Sequence, residues 1–307
     1  MKEYIGIDLG SNSLRCVRMN KDFEVLGEYE ETIRTAEGLE ENKVIGEAAL
    51  GRIIKALKKA KEVLNITPND EVIALSTQAL REAKNRDFIL RSIKEATAIS
   101  FQVISGEEES FITSLAPQRA VLALSQKSLK YQQECFLLID MGGASSEFIF
   151  CTPQGIFAKS FAVGIVSVKE RYGSIENLLA HKEEIISPIR DFMQQNAKEG
   201  RVAKFLVANS GTPTSVCAMK LGLKVYDSKK IFGMELQRND FEEQLQKFLL
   251  LCQEERETLW GIFKADVVPF GILLFLSFME VLGSKEVLVI DEGLREGAVM
   301  ARVYGKI

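Results

Sequence analysis

The chain has 307 residues, 46% hydrophobic and 27% charged, and a formal net charge of −4. That length predicts two domains with enough apolar side chain for two cores. The mild acidity excludes a general electrostatic pull on nucleic acid or on an anionic membrane, so a polyanionic ligand needs a local site.

Five cysteines (Cys16, Cys135, Cys151, Cys217 and Cys252) are scattered and never form Cys-x-x-Cys. They are expected as reduced, mostly buried thiols rather than a disulfide framework or a zinc site. Met1–Tyr4 runs straight into a structured motif, so no signal peptide is expected. The most apolar stretch, Val267–Leu282, holds Pro269, Gly271 and Glu280 and is too short to span a bilayer. The expected location is the cytoplasm, with neither nucleic acid nor membrane as a partner.

In chain order, Tyr4–Asp8 is predicted as a short strand ending in a turn at Gly10–Asn12. Ser13–Met19 and Phe23–Thr32 follow as strands of an antiparallel meander. Val44–Leu64 has apolar residues at helical spacing with lysines opposite. Val72–Ser76 reads as a strand, Gln78–Ala98 as largely helical, and Phe101–Ile104 as a strand. A helix starts at Glu107, where three acids suit the positive end of its dipole. The pattern then restarts. Cys135–Asp140, Ser145–Cys151 and Ile156–Val163 read as strands, and Ile165–Tyr172 and Ile175–Ala197 as helices. Phe205–Ala208 is a strand leading to a helix after Asn209-Ser210-Gly211-Thr212-Pro213. Asp240–Cys252 and Val267–Leu282 follow, then strand Glu286–Ile290 and a last helix from Leu294. The polar run Ser125–Gln133, just before the restart, places a hinge near Pro117–Gln133, with domain closure as a gating step.

The internal repeat is the most informative feature. Ile5-Gly6-Ile7-Asp8-Leu9-Gly10-Ser11-Asn12-Ser13 and Leu137-Leu138-Ile139-Asp140-Met141-Gly142-Gly143-Ala144-Ser145 both read as apolar strand, Asp, apolar, Gly, two small residues, Ser. Glycine at a tight strand-to-strand turn lets the backbone approach a ligand and turn its N–H groups outward as an anion-binding nest. Ser11, Ser13, Ser145 and Ser146 add hydroxyl donors. Asp8 and Asp140 repel phosphate, but each can hold a hydrated Mg²⁺ that bridges to phosphate oxygens. Two such loops facing across a cleft would clamp one phosphate chain. A third loop, Ser210-Gly211-Thr212 at a helix start, is another anion-binding candidate.

These residues resemble the exopolyphosphatase / guanosine pentaphosphate phosphohydrolase (Ppx/GppA) family along nearly the whole chain. The resemblance is carried by Ile7–Ser13, by Ser76–Asn85 (Ser-Thr-Gln-Ala-Leu-Arg-Glu-Ala-Lys-Asn), by Val103–Glu109, by Asp140–Glu147, by Ser210–Thr212 and by Gly293-Leu294-Arg295-Glu296-Gly297, in the family's order. It implies an α/β fold of two RNase H-like domains of the actin/Hsp70/sugar-kinase superfold with an interdomain cleft. The first domain would be 1–124 plus about 295–307, and the second 125–294. It also implies a short member of the family. The single histidine, His181, could not support a His-Asp metal site.

The implied reaction is Mg²⁺-assisted in-line attack of water on the terminal phosphoryl group of polyphosphate or of a guanosine polyphosphate such as pppGpp, a stringent-response nucleotide. Such chemistry needs charge neutralisation, positioning and a group that orients water. By resemblance Glu109 is the general base; preferring it to Glu108 rests on the family alignment. Glu147 is the second carboxylate, positioning metal or water. Arg81 is the phosphate-neutralising cation, since guanidinium matches phosphate bidentately. Gly10, Ser11, Asn12, Ser13, Gly142, Gly143, Ala144, Ser145, Ser210, Gly211 and Thr212 are the phosphate-binding candidates. Asp8, Asp140 and Glu147 are the candidates for Mg²⁺ or another divalent cation. A homodimer is compatible with this reading.

The chain departs from the family pattern at Ser167 and Lys264, which stand where arginines are usual, and at Ala144 and Ser110. The Ser167 change would weaken binding of long phosphate chains. It leaves open a catalytically weak (p)ppGpp or nucleotide sensor, and the shared superfold leaves open an ATP-dependent kinase or ATPase.

Overall fold

A computed structural model describes residues 2–132, 135–260 and 265–307, without the side chains of 259 and 260. The chain divides into two compact units, residues 1–116 with 292–307, and residues 117–291.

The first unit is built on a five-stranded sheet. Its strands are β1 (Glu3–Leu9), β2 (Ser13–Asn20), β3 (Val25–Thr32), β4 (Glu71–Ser76) and β5 (Gln102–Val103), in the order β3-β2-β1-β4-β5. β1, β2 and β3 pair antiparallel, whereas β4 pairs parallel to β1 and to β5. Both faces of β1 are buried, as expected for a strand covered by helices on each side. On one face Ile5, Ile7, Leu9, Leu14 and Cys16 pack with Ile53, Ala56 and Leu57 of the helix Glu47–Val63 and with Ile89 and Ile93 of the helix Arg86–Thr97. Each fully buried Ile or Leu there contributes about 1.5–3 kcal/mol.

On the other face Tyr4, Val17, Met19, Ile73 and Leu75 meet Ile112 of the helix Gly106–Ser125 and Leu294, Ala298 and Val299 of the helix Leu294–Val303. Two glycines set how closely that last helix seats. A Cβ on Gly6 would lie 2.1 Å from the Arg295 carbonyl oxygen, and one on Gly297 would lie 2.0 Å from that of Ile112.

The second unit repeats the topology. β6 (Phe136–Met141), β7 (Ser146–Thr152), β8 (Gly155–Phe161), β9 (Leu206–Ala208), β10 (Met234–Gln237) and β11 (Glu286–Val289) are ordered β10-β11-β9-β6-β7-β8. The run β8-β7-β6-β9-β11 thus repeats β3-β2-β1-β4-β5, with an antiparallel meander first and parallel additions after it. Antiparallel β10 is added at the edge. One sheet face carries Phe148, Phe150, Phe241, Phe248, Phe275 and Phe278, together with the almost wholly buried helix Val268–Val281. A helix that is apolar all round belongs inside. Phe136, Leu138, Ile149 and Val207 on the opposite face pack with Ala120, Val121 and Tyr131.

That packing explains why the units change over at Ala116/Pro117 rather than at the expected 124/125. Ile112 and Leu115 belong to the first unit's apolar cluster, whereas Ala120 and Val121 belong to the second's. The helix Gly106–Ser125 runs continuously through Pro117, so part of the expected hinge is helical. Gln133 lies outside the described residues.

Other elements also differ from expectation. The predicted helix over Gln78–Ala98 is two, Gln78–Glu82 and Arg86–Thr97. Between them the Asn85 side chain accepts from the Ile45 N–H at 3.0 Å and donates to the Ile45 carbonyl at 2.9 Å. Phe23 precedes its strand, with φ 64 in the turn. β10 and the helix Ser228–Ile231, of four residues each, are too short for periodicity to mark. Among the described residues no helix is long and apolar enough to cross a membrane.

Candidate functional site

The two Asp-x-Gly loops share one hydrogen-bond plan. The Gly10 N–H donates to the Ser13 carbonyl at 3.0 Å, closing the turn between β1 and β2. The Gly142 N–H donates to the Ser145 carbonyl at 2.8 Å, closing the turn between β6 and β7. Each loop is then held from behind by the segment after the meander's third strand. The Ser11 carbonyl accepts from Ala36 N–H, and the Asn12 carbonyl accepts from Ile33 and Arg34 N–H, all at 2.9 Å. The Gly142 carbonyl accepts from Ile165 N–H at 3.0 Å, and the Gly143 carbonyl accepts from Val166 and Ser167 N–H at 2.7 and 3.1 Å. In a planar trans peptide the N–H points opposite to the C=O. Fixing these carbonyls therefore turns the amides of Asn12, Gly143 and Ala144 the other way, as an anion nest requires.

Within the first unit, the Asn12 Oδ1 is buried and lacks a hydrogen-bond partner among the described residues, an acceptor left for water or ligand. In the second unit, the helix Ile165–Tyr172 presses its N-cap residue, Gly164, against the loop. A Cβ on Gly164 would lie 2.4 Å from the Gly143 carbonyl carbon. Ser167 belongs to this contact: its Oγ accepts from the Gly164 N–H at 3.0 Å and lies 3.3 Å from the Ala144 carbonyl oxygen. Ser167, read from the sequence as a departure from an expected arginine, thus ties the loop down. Ser146, expected as a phosphate donor, instead donates to the Val163 carbonyl at 2.5 Å. Its position on β7 turns the hydroxyl to the neighbouring backbone. Lys264 lies outside the described residues.

The strand registers place the acids. Asp8 pairs with Arg15, and Arg15 with Glu30, whose carboxylate is 3.4 Å from the Arg15 Nε. At the matching row of the second unit Asp140 pairs with Glu147, and Glu147 with Ser160. Glu147 is only 1% exposed and accepts from the Ser160 Oγ at 2.7 Å. Side chains at directly opposed positions have Cβ atoms about 4.5–5.5 Å apart. Asp140 and Glu147 can therefore share one hard cation, whereas the first unit's row places a guanidinium where the second has a carboxylate. Among the described residues no group of three His, Cys, Asp or Glu is arranged to hold a metal alone. A carboxylate pair completed by substrate oxygens is nonetheless the usual way Mg²⁺ is bound, and the Asp140–Glu147 pair fits that donor set.

The three acids at the start of the helix Gly106–Ser125 have different fates. Glu107 and Glu108 are exposed, and Glu108 caps the helix, accepting from the Ser105 N–H at 2.8 Å while its own N–H donates to the Ser105 Oγ at 3.2 Å. Glu109 is 7% exposed and accepts from the Arg81 Nη1 at 2.6 Å. Arg81 also donates to the Ile104 carbonyl at 2.9 Å and, through Nε and Nη2, to the Gln78 Oε1 at 3.2 and 2.6 Å. The two residues that the sequence singles out as base and cation are a hydrogen-bonded pair.

Ser210 precedes the helix Gly211–Leu221 and makes no side-chain cap. Its Oγ is buried without a partner among the described residues. Thr212 is packed by Gly271, where a Cβ would lie 2.4 Å from the Thr212 Oγ1. The helix start therefore offers a hydroxyl and terminal amides to an anion. Three supporting residues escaped the sequence reading: Ser160 on Glu147, Gln78 on Arg81 and Ser105 on Glu108. Gln78, three residues before Arg81, carried a helical-spacing signal, and Ser105, three before Glu108, a capping-box signal; Ser160 carried neither.

The Ppx/GppA phosphatase family model matches residues 15–304. The chain belongs to this family. It is 26% identical to the bifunctional 3-dehydroquinate synthase/phosphatase of Fusobacterium nucleatum, over 98% of this chain and 46% of that one. It is also 26% identical to the guanosine-5'-triphosphate,3'-diphosphate pyrophosphatase of Pseudoalteromonas atlantica, over 96% of this chain and 58% of that one. It thus spans about half the length of these curated relatives. Its fold is that of two solved structures: an exopolyphosphatase from Cytophaga hutchinsonii (TM-score 0.82, 21% identity, 99% and 98% of the two chains) and an Aquifex aeolicus Ppx/GppA family member (TM-score 0.73, 23% identity, 99% and 98%). As in the Ppx/GppA fold expected from the sequence, both units are α/β and RNase H-like, each with a meander followed by parallel strands.

Proposed function

We propose that this Ppx/GppA protein is a phosphohydrolase that releases terminal phosphate from inorganic polyphosphate or from pppGpp. The observation that carries the reading is the pairing of the buried Glu109 with Arg81, in the same unit as the Gly10–Ser13 loop. Glu109 takes the proton of an attacking water, whose oxygen bonds the terminal phosphorus as the phosphoanhydride P–O bond breaks. Arg81 fixes the orientation of that carboxylate and brings positive charge to the phosphoryl oxygens. The loop amides of Asn12, Gly143 and Ala144, with the hydroxyls of Ser11, Ser13, Ser145, Ser210 and Thr212, bind phosphate oxygens. Glu147, held by Ser160, and Asp140 would hold Mg²⁺, with Asp8 the corresponding acid of the first unit. When bound, the ion neutralises charge on the phosphate chain.

The family and the activities of the relatives support this substrate class. A cytoplasmic location belongs to the same reading, supported by the buried thiols of Cys16, Cys151 and Cys217. The test is phosphate release from polyphosphate and from pppGpp, with Mg²⁺, by the unmutated protein and by Glu109→Gln. Release that falls about 10²–10⁴-fold in the variant is expected, and the faster substrate assigns the subclass. Folded protein that releases phosphate from neither would overturn the reading.

A further inference from the structure

Residues 33–38, between β3 and the helix Leu39–Asn42, lie outside helix and strand. Yet they carry the N–H groups that hold the first loop: Ile33 and Arg34 donate to the Asn12 carbonyl and Ala36 to the Ser11 carbonyl. The second unit places its matching donors, Ile165, Val166 and Ser167, in the first turn of a helix, whose regular backbone sets their direction. In the first unit no such regularity exists, so the donors need a hold from elsewhere. Arg34 adds to that need. Its φ of 48 is left-handed, which is unfavourable for a residue with a Cβ and persists only where the surroundings impose it.

Arg52, on the helix Glu47–Val63, supplies the hold. Its Nε donates to the Ile33 carbonyl at 2.7 Å, and its Nη2 to the Arg34 carbonyl at 3.3 Å and the Glu37 carboxylate at 2.6 Å. Ile33 and Arg34 thus each have their N–H on the loop and their carbonyl on Arg52. One rigid guanidinium plane spans both carbonyls and the carboxylate, which a single ammonium on a flexible stem does not. Asn12, whose carbonyl is fixed in this way, turns its own peptide N–H to the other side. Its buried Oδ1 lacks a partner among the described residues. A shift of residues 33 and 34 would move both groups.

We propose that Arg52 is a positioning residue for the first loop: by holding the carbonyls of Ile33 and Arg34 it sets the direction in which Asn12 meets an anion. This role rests on the reading of that loop as a phosphate binder.

The test compares the full chain carrying Glu109→Gln, in which turnover cannot consume the probe, with the same chain carrying Arg52→Lys as well. Arg52→Lys keeps the charge and the stem, and Arg52→Ala is the more severe variant. Amide hydrogen exchange is read by NMR, and tripolyphosphate affinity by calorimetry. In Arg52→Lys the amides of Ile33 and Arg34 should exchange faster, while those of Ile5 and Ile7 in β1 stay protected and show the fold intact. Tripolyphosphate should bind about tenfold more weakly or worse. Ethylguanidinium added to Arg52→Ala should restore affinity, and ethylammonium of the same charge should not. With Glu109 in place, Arg52→Lys should raise KM and nearly keep kcat, the mark of lost binding rather than lost chemistry. Parental affinity in Arg52→Lys, weaker binding with unmoved Ile33 and Arg34 exchange, or no binding of tripolyphosphate by the parent would each overturn the proposal. Phosphate release by the unmutated chain is scored separately. A chain that turns over with Arg52→Lys at parental KM fails this proposal alone; one that binds through Arg52 but releases nothing fails the hydrolase reading alone.

Discussion

The Arg81 guanidinium donates to the Glu109 carboxylate at 2.6 Å and, with three further N–H groups, to the Ile104 carbonyl and the Gln78 side chain. One planar cation therefore joins the short helix Gln78–Glu82, the end of the β5 segment and the first turn of the helix Gly106–Ser125. Lysine has neither the fork nor the plane to make these contacts together.

Arg81→Lys should thus behave almost as Arg81→Ala does. Either change is expected to lower phosphate release about 10²–10³-fold and to cost about 1–3 kcal/mol of stability. Steady-state kinetics and denaturant melts check this. Recovery of most activity in Arg81→Lys would show that charge alone suffices.

Ser160 acts through Glu147, donating to it at 2.7 Å. Ser160→Ala is expected to raise the Mg²⁺ concentration needed for half-maximal activity about 10–100-fold. Excess Mg²⁺ should restore the rate, which a merely structural loss would not allow. Titrating Mg²⁺ against both proteins decides it.

Gly164→Ala would drive a methyl group to 2.4 Å from the Gly143 carbonyl carbon, against backbone that cannot move aside cheaply. Overpacking of this kind costs about 1–3 kcal/mol or more, and here it also displaces the Gly142–Ser145 loop. Gly51→Ala is the control, with nothing within 4 Å of the new methyl. It should stabilise by roughly 0.5–1 kcal/mol. Thermal melts of the two variants should therefore move in opposite directions.

Asp70 gives a pH dependence. Burial works to raise its pKa, but hydrogen bonds from Arg18 and from Thr67 prevail and hold it below the usual carboxylate range. Both Asp70 oxygens accept from Arg18 at 3.0 Å. A carboxylate whose pKa is lower folded than unfolded contributes stability that is present above the unfolded value, about 3.9. That contribution is lost as pH falls through the folded value. Asp70→Asn should therefore be less stable than its parent at neutral pH, with the gap closing below about pH 4. Urea melts across pH 2–7 test this, and a gap that stays constant would exclude the linkage.

The doubled Asp-x-Gly loops could be found from sequence because everything that makes them is local. An apolar strand, a glycine, small hydroxyl residues and a second strand lie within about ten positions, at the period of 2 that marks a strand. The break at Asn85 was hidden, since that residue satisfies the backbone of Ile45, forty positions away in the chain. Ser167 read as a missing arginine. Its use as a cap on Gly164 follows from helix position, but its hold on the Gly143–Ala144 loop does not.

The sequence by itself determined the two α/β repeats, the glycine turns that open them and the set of acids around them, because turn chemistry and hydrophobic period act over a few residues. Only the tertiary structure decided which acids are buried and what holds them. Glu109 is buried and paired with Arg81 while Glu107 and Glu108 stay in water, because the helix Gly106–Ser125 packs through Ile112 into the cluster that the helix Leu294–Val303, far away in the chain, forms with the sheet. Strand register, likewise, set Glu147 between Asp140 and Ser160 but Arg15 between Asp8 and Glu30. Register fixes which side chains stand opposite one another, and a shift of one residue would turn every one of them to the other face.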